Sequence, residues 1–355
     1  MRVGISLLEL APGQVGGSET YARSLCHALA RVGRHEYRVF TSDLAPDAGG
    51  SLPSSVVDSY PSGRSAPARL SAVVAARRSR RLRNEMRLGE LDGLHFPLTA
   101  MVPRVRRPPA VVTVLDVQHL IMPRFFSRAK LLYRRFAYEG SARQAHVVIT
   151  ISSHVRETLL ERVGLSPERV IVVHCGVDHN WFTPPPGDSS RQPFLLYPAF
   201  PWPHKNHGRL VDAFALLRRR HPDLRLVLTG GAYSSFAHLD GIDVRGFVSA
   251  DELLHLYRTA SATVFPSLYE GFGQPLLEAM ACGCPVAASD VAAIPEVCGG
   301  AARLFDPHQP EAIAEAVEDV LQRSELWASR GLARADTFSW EATARATDDV
   351  YTALV

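Results

Sequence analysis

Lysine is nearly absent from this chain: of 39 lysines and arginines among 355 residues, only Lys130 and Lys205 are lysines. Arginine carries almost all the positive charge, so a lysine at a particular place suggests that a compact ammonium, not a planar fork, is wanted there. No apolar run is long enough to cross a membrane, and the opening "MRVGISLLELAPG" is broken too soon by Glu9 and Pro12 to be a secretory signal. The expectation is a cytoplasmic protein, or one peripheral to the inner face of a membrane. Paired CxxC spacing is missing too. Cys26, Cys175, Cys282, Cys284 and Cys298 are odd in number, and two of them sit in an apolar run, which predicts buried free thiols and no structural zinc. No Asp-x-Asp triplet stands at a strand end to hold a metal with a diphosphate. A formal net charge of +3 offers no general attraction for nucleic acid.

What is present is ample apolar material, 46% of residues, in a chain longer than one core usually fills, so two domains are expected. Short β-branched runs alternate with longer helical patterns, the pattern of parallel sheets covered by helices. Strands are predicted at "RVGISLLEL", "EYRVFTS", "LHFP", "AVVTVLD", "HVVITIS" and "RVIVVHCG", then at "PFLLYPA", "LRLVLTGG", "IDVRGF", "ATVFPS" and "PVAASD". The fold class is α/β, with two doubly wound Rossmann-like domains facing across a cleft. Residues 1–182 are expected to form the first domain, 183–193 a Pro-rich linker, and 194–330 the second domain. Residues 331–355 form a closing helical segment able to pack on either domain. Asn206 is predicted to cap the helix that follows it, and Ser249 with Glu252 to form a capping box. "AARRSRRLRNEMR" is read as one helix with Val73, Val74, Leu82 and Met86 apolar. Its Arg77, Arg78, Arg80, Arg81 and Arg83 are either a solvated face or a contact for an anionic membrane or phosphorylated acceptor.

Doubly wound sheets bind ligands beyond the carboxyl ends of their strands, and the informative motifs fall there. After the first strand come Gly16 and Gly17 and a helix start, an arrangement suited to an anion because glycine lets a phosphate approach free amides. After "PFLLYPA" comes a proline turn with Lys205 just before a helix, where a single ammonium suits a diphosphate, although a surface lysine in a turn reads the same way. After "ATVFPS" comes "YEGFGQPLLEAMACGCPVAASD". Glu270 lies in its loop, Pro275 fits the first helical position, and Glu278 follows on the helix, where it either favours the helix dipole or joins Glu270 at a cleft. A carboxylate accepts two hydroxyls at once, and vicinal diols are what sugars offer.

These stretches, with "VGGSE", "HCGVD", "PWPHKN" and "RGFVSADELLHLYRTASATVFPSLYEGFGQPLLEAM", resemble the retaining glycosyltransferases of family 4, which have the two-domain GT-B fold. The resemblance covers nearly the whole chain and is most specific from Tyr197 to Glu296. It implies that Glu278 binds the nucleotide ribose, Glu270 orients the donor sugar, and Phe272 and Gly273 reach the donor through their amides. It further implies that Lys205 holds the diphosphate and that Gly16 and Gly17 approach it. It implies no metal and no cofactor, only a nucleotide-diphosphate sugar as co-substrate and a glycan, lipid-linked or small-molecule acceptor.

Two departures stand out. Family members place an arginine where this chain has Ala199, Phe200 and Pro201, and Arg209 is the candidate to replace it. They carry a histidine where this chain has Leu115, so Asp116 and His119 become the first-domain catalytic candidates beside Glu270. Two other readings remain open here: a non-catalytic nucleotide-sugar-binding subunit, and a glycoside hydrolase using the glutamate pair.

Overall fold

The computed structural model describes residues 1–13, 17–61, 63, 66–187, 190–231, 233 and 235–354. Among them the chain divides into two compact units, Met1–Gly176 with Trp340–Val355, and Val177–Ser339. The division differs from the expected boundaries. The Pro-rich stretch lies inside the second unit, and the expected closing segment splits, with Ser324–Ala335 in the second unit and Trp340–Thr352 in the first.

The first unit holds seven parallel strands, β1 (Arg2–Ser6), β2 (Glu36–Thr41), β3 (Ser54–Val56), β4 (Gly93–Phe96), β5 (Ala110–Val114), β6 (Val147–Thr150) and β7 (Val170–Val172), in the order β3-β2-β1-β4-β5-β6-β7. Val112 stands opposite both Phe96 and Val148, and every residue of β5 is buried, as expected of a central strand covered on both faces. The helix Trp340–Thr352 packs on the helix Gly17–Val32, with Trp340 edge-on to Tyr21 at 5.9 Å. A buried polar seam fixes it. Asp348 accepts from the Tyr37 hydroxyl and from the Arg34 amide at 2.7 Å, while His95 bridges Tyr351 at 2.6 Å and Thr113 at 2.7 Å.

The second unit holds six parallel strands, β8 (Gln192–Pro198), β9 (Arg225–Thr229), β10 (Ile242–Gly246), β11 (Ala260–Phe265), β12 (Val286–Ser289) and β13 (Arg303–Phe305), in the order β10-β9-β8-β11-β12-β13. Thr263 of β11 stands between Leu196 and Val286. The order reverses between β8 and β11, which makes the carboxyl ends of those two strands the place where an open α/β sheet leaves a crevice. The edge strands β3 and β13, three residues each, are the ones the sequence pattern did not mark.

Three local expectations change. The Arg-rich stretch is two helices, Ala66–Ala76 and Arg80–Glu85, broken where the Ser79 hydroxyl caps the second by accepting from the Leu82 amide. Arg77 is not on a solvated face. It is buried with its guanidinium 4.1 Å over the Phe136 ring and bonded to the Phe136 carbonyl, whereas Val74, expected to be apolar and inward, is exposed. Asn206 does precede its helix, but its side chain does not cap it, for reasons that bear on the site. Of the expected capping box, the Ser249 half is present, its hydroxyl accepting from the Glu252 amide, while the Glu252 carboxylate pairs with Arg245 at 3.3 Å. All five cysteines are buried and free. Among the described residues no helix is long and apolar enough to cross a membrane.

Candidate active site

Beyond β8 the prolines at 201 and 203 force a tight path that ends in one 3-10 turn, Pro203–Lys205. Asn206 then adopts a left-handed conformation, φ 60° and ψ 33°, which asparagine tolerates better than most residues. This turns its side chain away from the helix start and into the protein. Its Nδ2 donates to the carbonyls of Pro266 at 3.0 Å and Pro307 at 2.8 Å, tying the loop after β8 to the loops after β11 and β13. The Leu268 amide also couples the first two loops, donating to the His204 carbonyl at 2.7 Å, while the Tyr197 hydroxyl of β8 donates to the Lys205 carbonyl at 2.8 Å and lies 3.1 Å from the Ser267 hydroxyl of the loop after β11.

The consequence is that Lys205 and Glu270, which follow β8 and β11 at the crevice, meet. Lys205 Nζ lies 2.7 Å from Glu270 Oε1, and their side chains are only 12% and 13% exposed. The ammonium also lies 5.4 Å from the Phe265 ring centroid. Glu270 therefore faces a cation held largely out of water.

Glu278 sits on the helix Gln274–Ala281, which starts behind Gly273 with Pro275 in its first turn and no side-chain cap. Gly273 has a φ of 107°, a conformation that residues with a Cβ rarely adopt, so the turn needs glycine. Phe272 is buried edge-on to Phe338 at 6.0 Å. Glu278 Oε2 accepts from the Tyr257 hydroxyl at 3.0 Å. Burial pushes the Glu278 carboxyl up to about 7, against the pull of that hydrogen bond. Tyr257 is a site residue that the sequence pattern concealed, because on an amphipathic helix its position reads as core.

Arg209 lies in the first turn of the helix His207–Arg218, its Nη1 bonded to Asn206 Oδ1 at 2.9 Å, and it borders a cavity that neither Lys205 nor Glu270 lines. In the first unit, Gly17 opens the helix that follows β1, exposed and with nothing within 4 Å of where a Cβ would stand, while Gly16 lies outside the described residues. Asp116, at the end of β5, is bound by the Gln118 amide at 2.5 Å and by Arg134 at 3.0 Å. His119 is only 4% exposed, 3.6 Å from Glu139 across a gap too long for a hydrogen bond, and neither ring nitrogen has a hydrogen-bond partner among the described residues. Burial, with Arg134 next, pushes its imidazole down to about 4, so it is neutral at physiological pH.

Two family models match this chain, Glycosyltransferase Family 4 over residues 15–181 and Glycosyl transferases group 1 over residues 184–331. Among curated relatives, an O-antigen chain mannosyltransferase B of Escherichia coli is 29% identical over 73% of this chain and 74% of its own length. An MMP alpha-(1->4)-mannosyltransferase of Mycolicibacterium hassiacum is 33% identical over 59% of this chain and 54% of its own. Among solved structures, a sucrose-phosphate synthase from Thermosynechococcus elongatus superposes with TM-score 0.76 at 18% identity, over 100% of this chain and 99% of that one. Anabaena HepE in complex with UDP-glucose gives TM-score 0.72 at 20% identity, over 99% and 100%. With two Rossmann-like units, a lysine–glutamate pair at the crevice of the second, and family models along most of its length, the chain belongs to the family 4-like glycosyltransferases of GT-B fold and is a hexosyltransferase.

Proposed function

We propose that the chain moves a mannose-like or glucose-like hexose from a nucleotide-diphosphate sugar to a glycan, lipid-linked or small-molecule acceptor, with retained anomeric configuration and without a metal. The observation that carries this reading is the shielded Lys205–Glu270 pair at the point where the second sheet reverses its strand order. A diphosphate arriving there offers Lys205 a doubly charged partner, and Glu270, released from its cation, turns to the donor-sugar hydroxyls. Glu278 accepts from the ribose. The helix start behind Gly273 and the ammonium supply the positive field that a metal supplies elsewhere. In the front-side path the bond from the anomeric carbon to the diphosphate oxygen breaks. The bond to the acceptor oxygen forms on the same face, and the acceptor proton passes to a diphosphate oxygen.

Support comes also from the relatives, two of them mannosyltransferases, and from a structural neighbour that binds UDP-glucose. In the first unit, Asp116 is the accessible candidate to meet an acceptor hydroxyl, and His119, enclosed and neutral, is placed to support that region. Arg78, Arg80 and Arg81 are exposed beside Leu70 and Val74, a combination suited to peripheral contact with an anionic membrane; cosedimentation with anionic vesicles that persists in high salt would argue against an electrostatic contact.

The test of the donor site is a thermal-shift screen against UDP, GDP, ADP and dTDP with and without EDTA, followed by titration of a Lys205→Ala variant. One chelator-insensitive ligand is expected. The variant should lose at least about tenfold more affinity for the nucleoside diphosphate than for the nucleoside. Equal losses for both would remove the diphosphate from Lys205.

A further inference from the structure

The second unit contains an open cavity of about 600 Å³ between the start of the helix His207–Arg218 and the loop after β9, bordered by Trp202, Arg209, Asp212, Tyr233, Ser235 and Phe236. It is a formed feature. Gly231 brings the β9 loop against Pro201 so closely that a Cβ there would stand 2.5 Å from the proline ring. Trp202 is 51% exposed yet fixed, lying parallel to Phe200 at 5.1 Å and 13°. An exposed indole held in place beside a polar cavity is the kind of surface that ligands cover.

The charge of the lining decides the class of ligand. The helix start is uncapped, and Arg209 sits on its first turn, which by themselves suit an anion. Asp212, one turn further, has no hydrogen bond or ion pair among the described residues, and its carboxylate offsets Arg209. His207, also at the border, adds no charge, because burial pushes its imidazole down to about 4. The lining is thus neutral at physiological pH, with one unclaimed acceptor, one guanidinium donor and a flat apolar ring. Hydroxyl-rich neutral rings fit that set: a carboxylate accepts two vicinal hydroxyls, a guanidinium donates to others, and the C–H face of a pyranose lies on an aromatic plane.

We propose that this cavity is a saccharide subsite, which takes a neutral hexopyranose unit of the acceptor glycan against Trp202, with Asp212 and Arg209 bonding its hydroxyls. It rests on the reading of the acceptor as a glycan. Pro203, Asn206 and His207 line the cavity on either side of Lys205, but Lys205 and Glu270 themselves do not, which leaves it to hold a sugar unit next to the reacting one.

The experiment is saturation-transfer NMR and calorimetry of the full chain with methyl α-mannoside, a mannobioside and a mannotrioside, and separately with the nucleoside diphosphate found above. Wild-type protein should bind the longer glycosides. Trp202→Ala and Asp212→Asn, both changes at exposed or half-exposed positions, should each weaken that binding about tenfold while leaving the melting temperature and the nucleotide affinity in place. A protein that binds nucleotide but no glycoside overturns the subsite and spares the donor reading, as does glycoside binding untouched by both variants. A protein whose glycoside binding depends on Trp202 but which binds no nucleotide keeps the subsite and removes the donor reading.

Discussion

The Lys205–Glu270 pair permits a quantitative test before any ligand is known. At 2.7 Å and an effective dielectric constant of about 20, two unit charges attract by about 6 kcal/mol. Bringing both groups out of water returns most of that. With side chains 12% and 13% exposed, the pair lies between surface pairs, worth about 0–1 kcal/mol, and fully buried ones, whose disruption costs about 3–5. Lys205→Met should therefore destabilise the ligand-free protein by about 2 kcal/mol, mostly by stranding the Glu270 carboxylate. Glu270→Gln should cost about the same by stranding the ammonium. The double variant, which strands neither, should cost less than the sum by about 1–2 kcal/mol. Denaturant unfolding of the four proteins reads this coupling directly, and melting temperatures should show it as about 2–4 °C per kcal/mol. If the single losses add within about 0.5 kcal/mol, the two groups do not form an energetic unit, and the exchange of Glu270 for a diphosphate loses its basis.

The remaining expectations are briefer. Glu278 has its folded-state carboxyl raised to about 7, above its ordinary value in the unfolded chain, so the folded state binds the extra proton. The stability this group contributes is full below about pH 4.5 and is lost as pH rises through 7. Glu278→Gln should therefore gain stability relative to wild type at pH 8 but not at pH 4, and an identical difference at both would place the carboxyl back in the usual range. Asp348, fully buried and bonded to Tyr37 and the Arg34 amide, should cost about 3 kcal/mol as Asp348→Ala, because two donors lose their acceptor. Hydrogen exchange should then show the helix Trp340–Thr352 opening ahead of the rest of the first unit, and uniform exchange would deny that seam its role.

The strands were legible where apolar, often β-branched runs stand between turn residues; β7, a three-residue edge, was marked because it sits in the longer run "RVIVVHCG", whereas the edges β3 and β13 have no such run around them. Lys205 and Glu270 were legible for a different reason. One is an outlier in a chain that otherwise uses arginine, and the other stands at a glycine turn between a strand and a helix. Both signals are local. What stayed hidden depends on partners far along the chain. Arg77 looks like any other arginine of its cluster until Phe136, 59 residues on, folds over it. Tyr257 reads as core until Glu278 is seen to accept from it.

Asn206 shows how the two kinds of information meet in one residue. Its type and place before a helix give a sound local reason to expect a cap, and a cap would cost the site its rigidity. In the left-handed conformation its amide instead reaches carbonyls 60 and 101 residues away, so the turn that carries Lys205 is fixed to the loop that carries Glu270. The same turn leaves the first amides of its helix without a side-chain partner. One backbone conformation thus holds the ammonium against its carboxylate and keeps the cavity beside Trp202 open at a helix start. That is why replacing Asn206 by aspartate, a good capping residue with no amide to donate, should loosen the site while leaving the helix start supported.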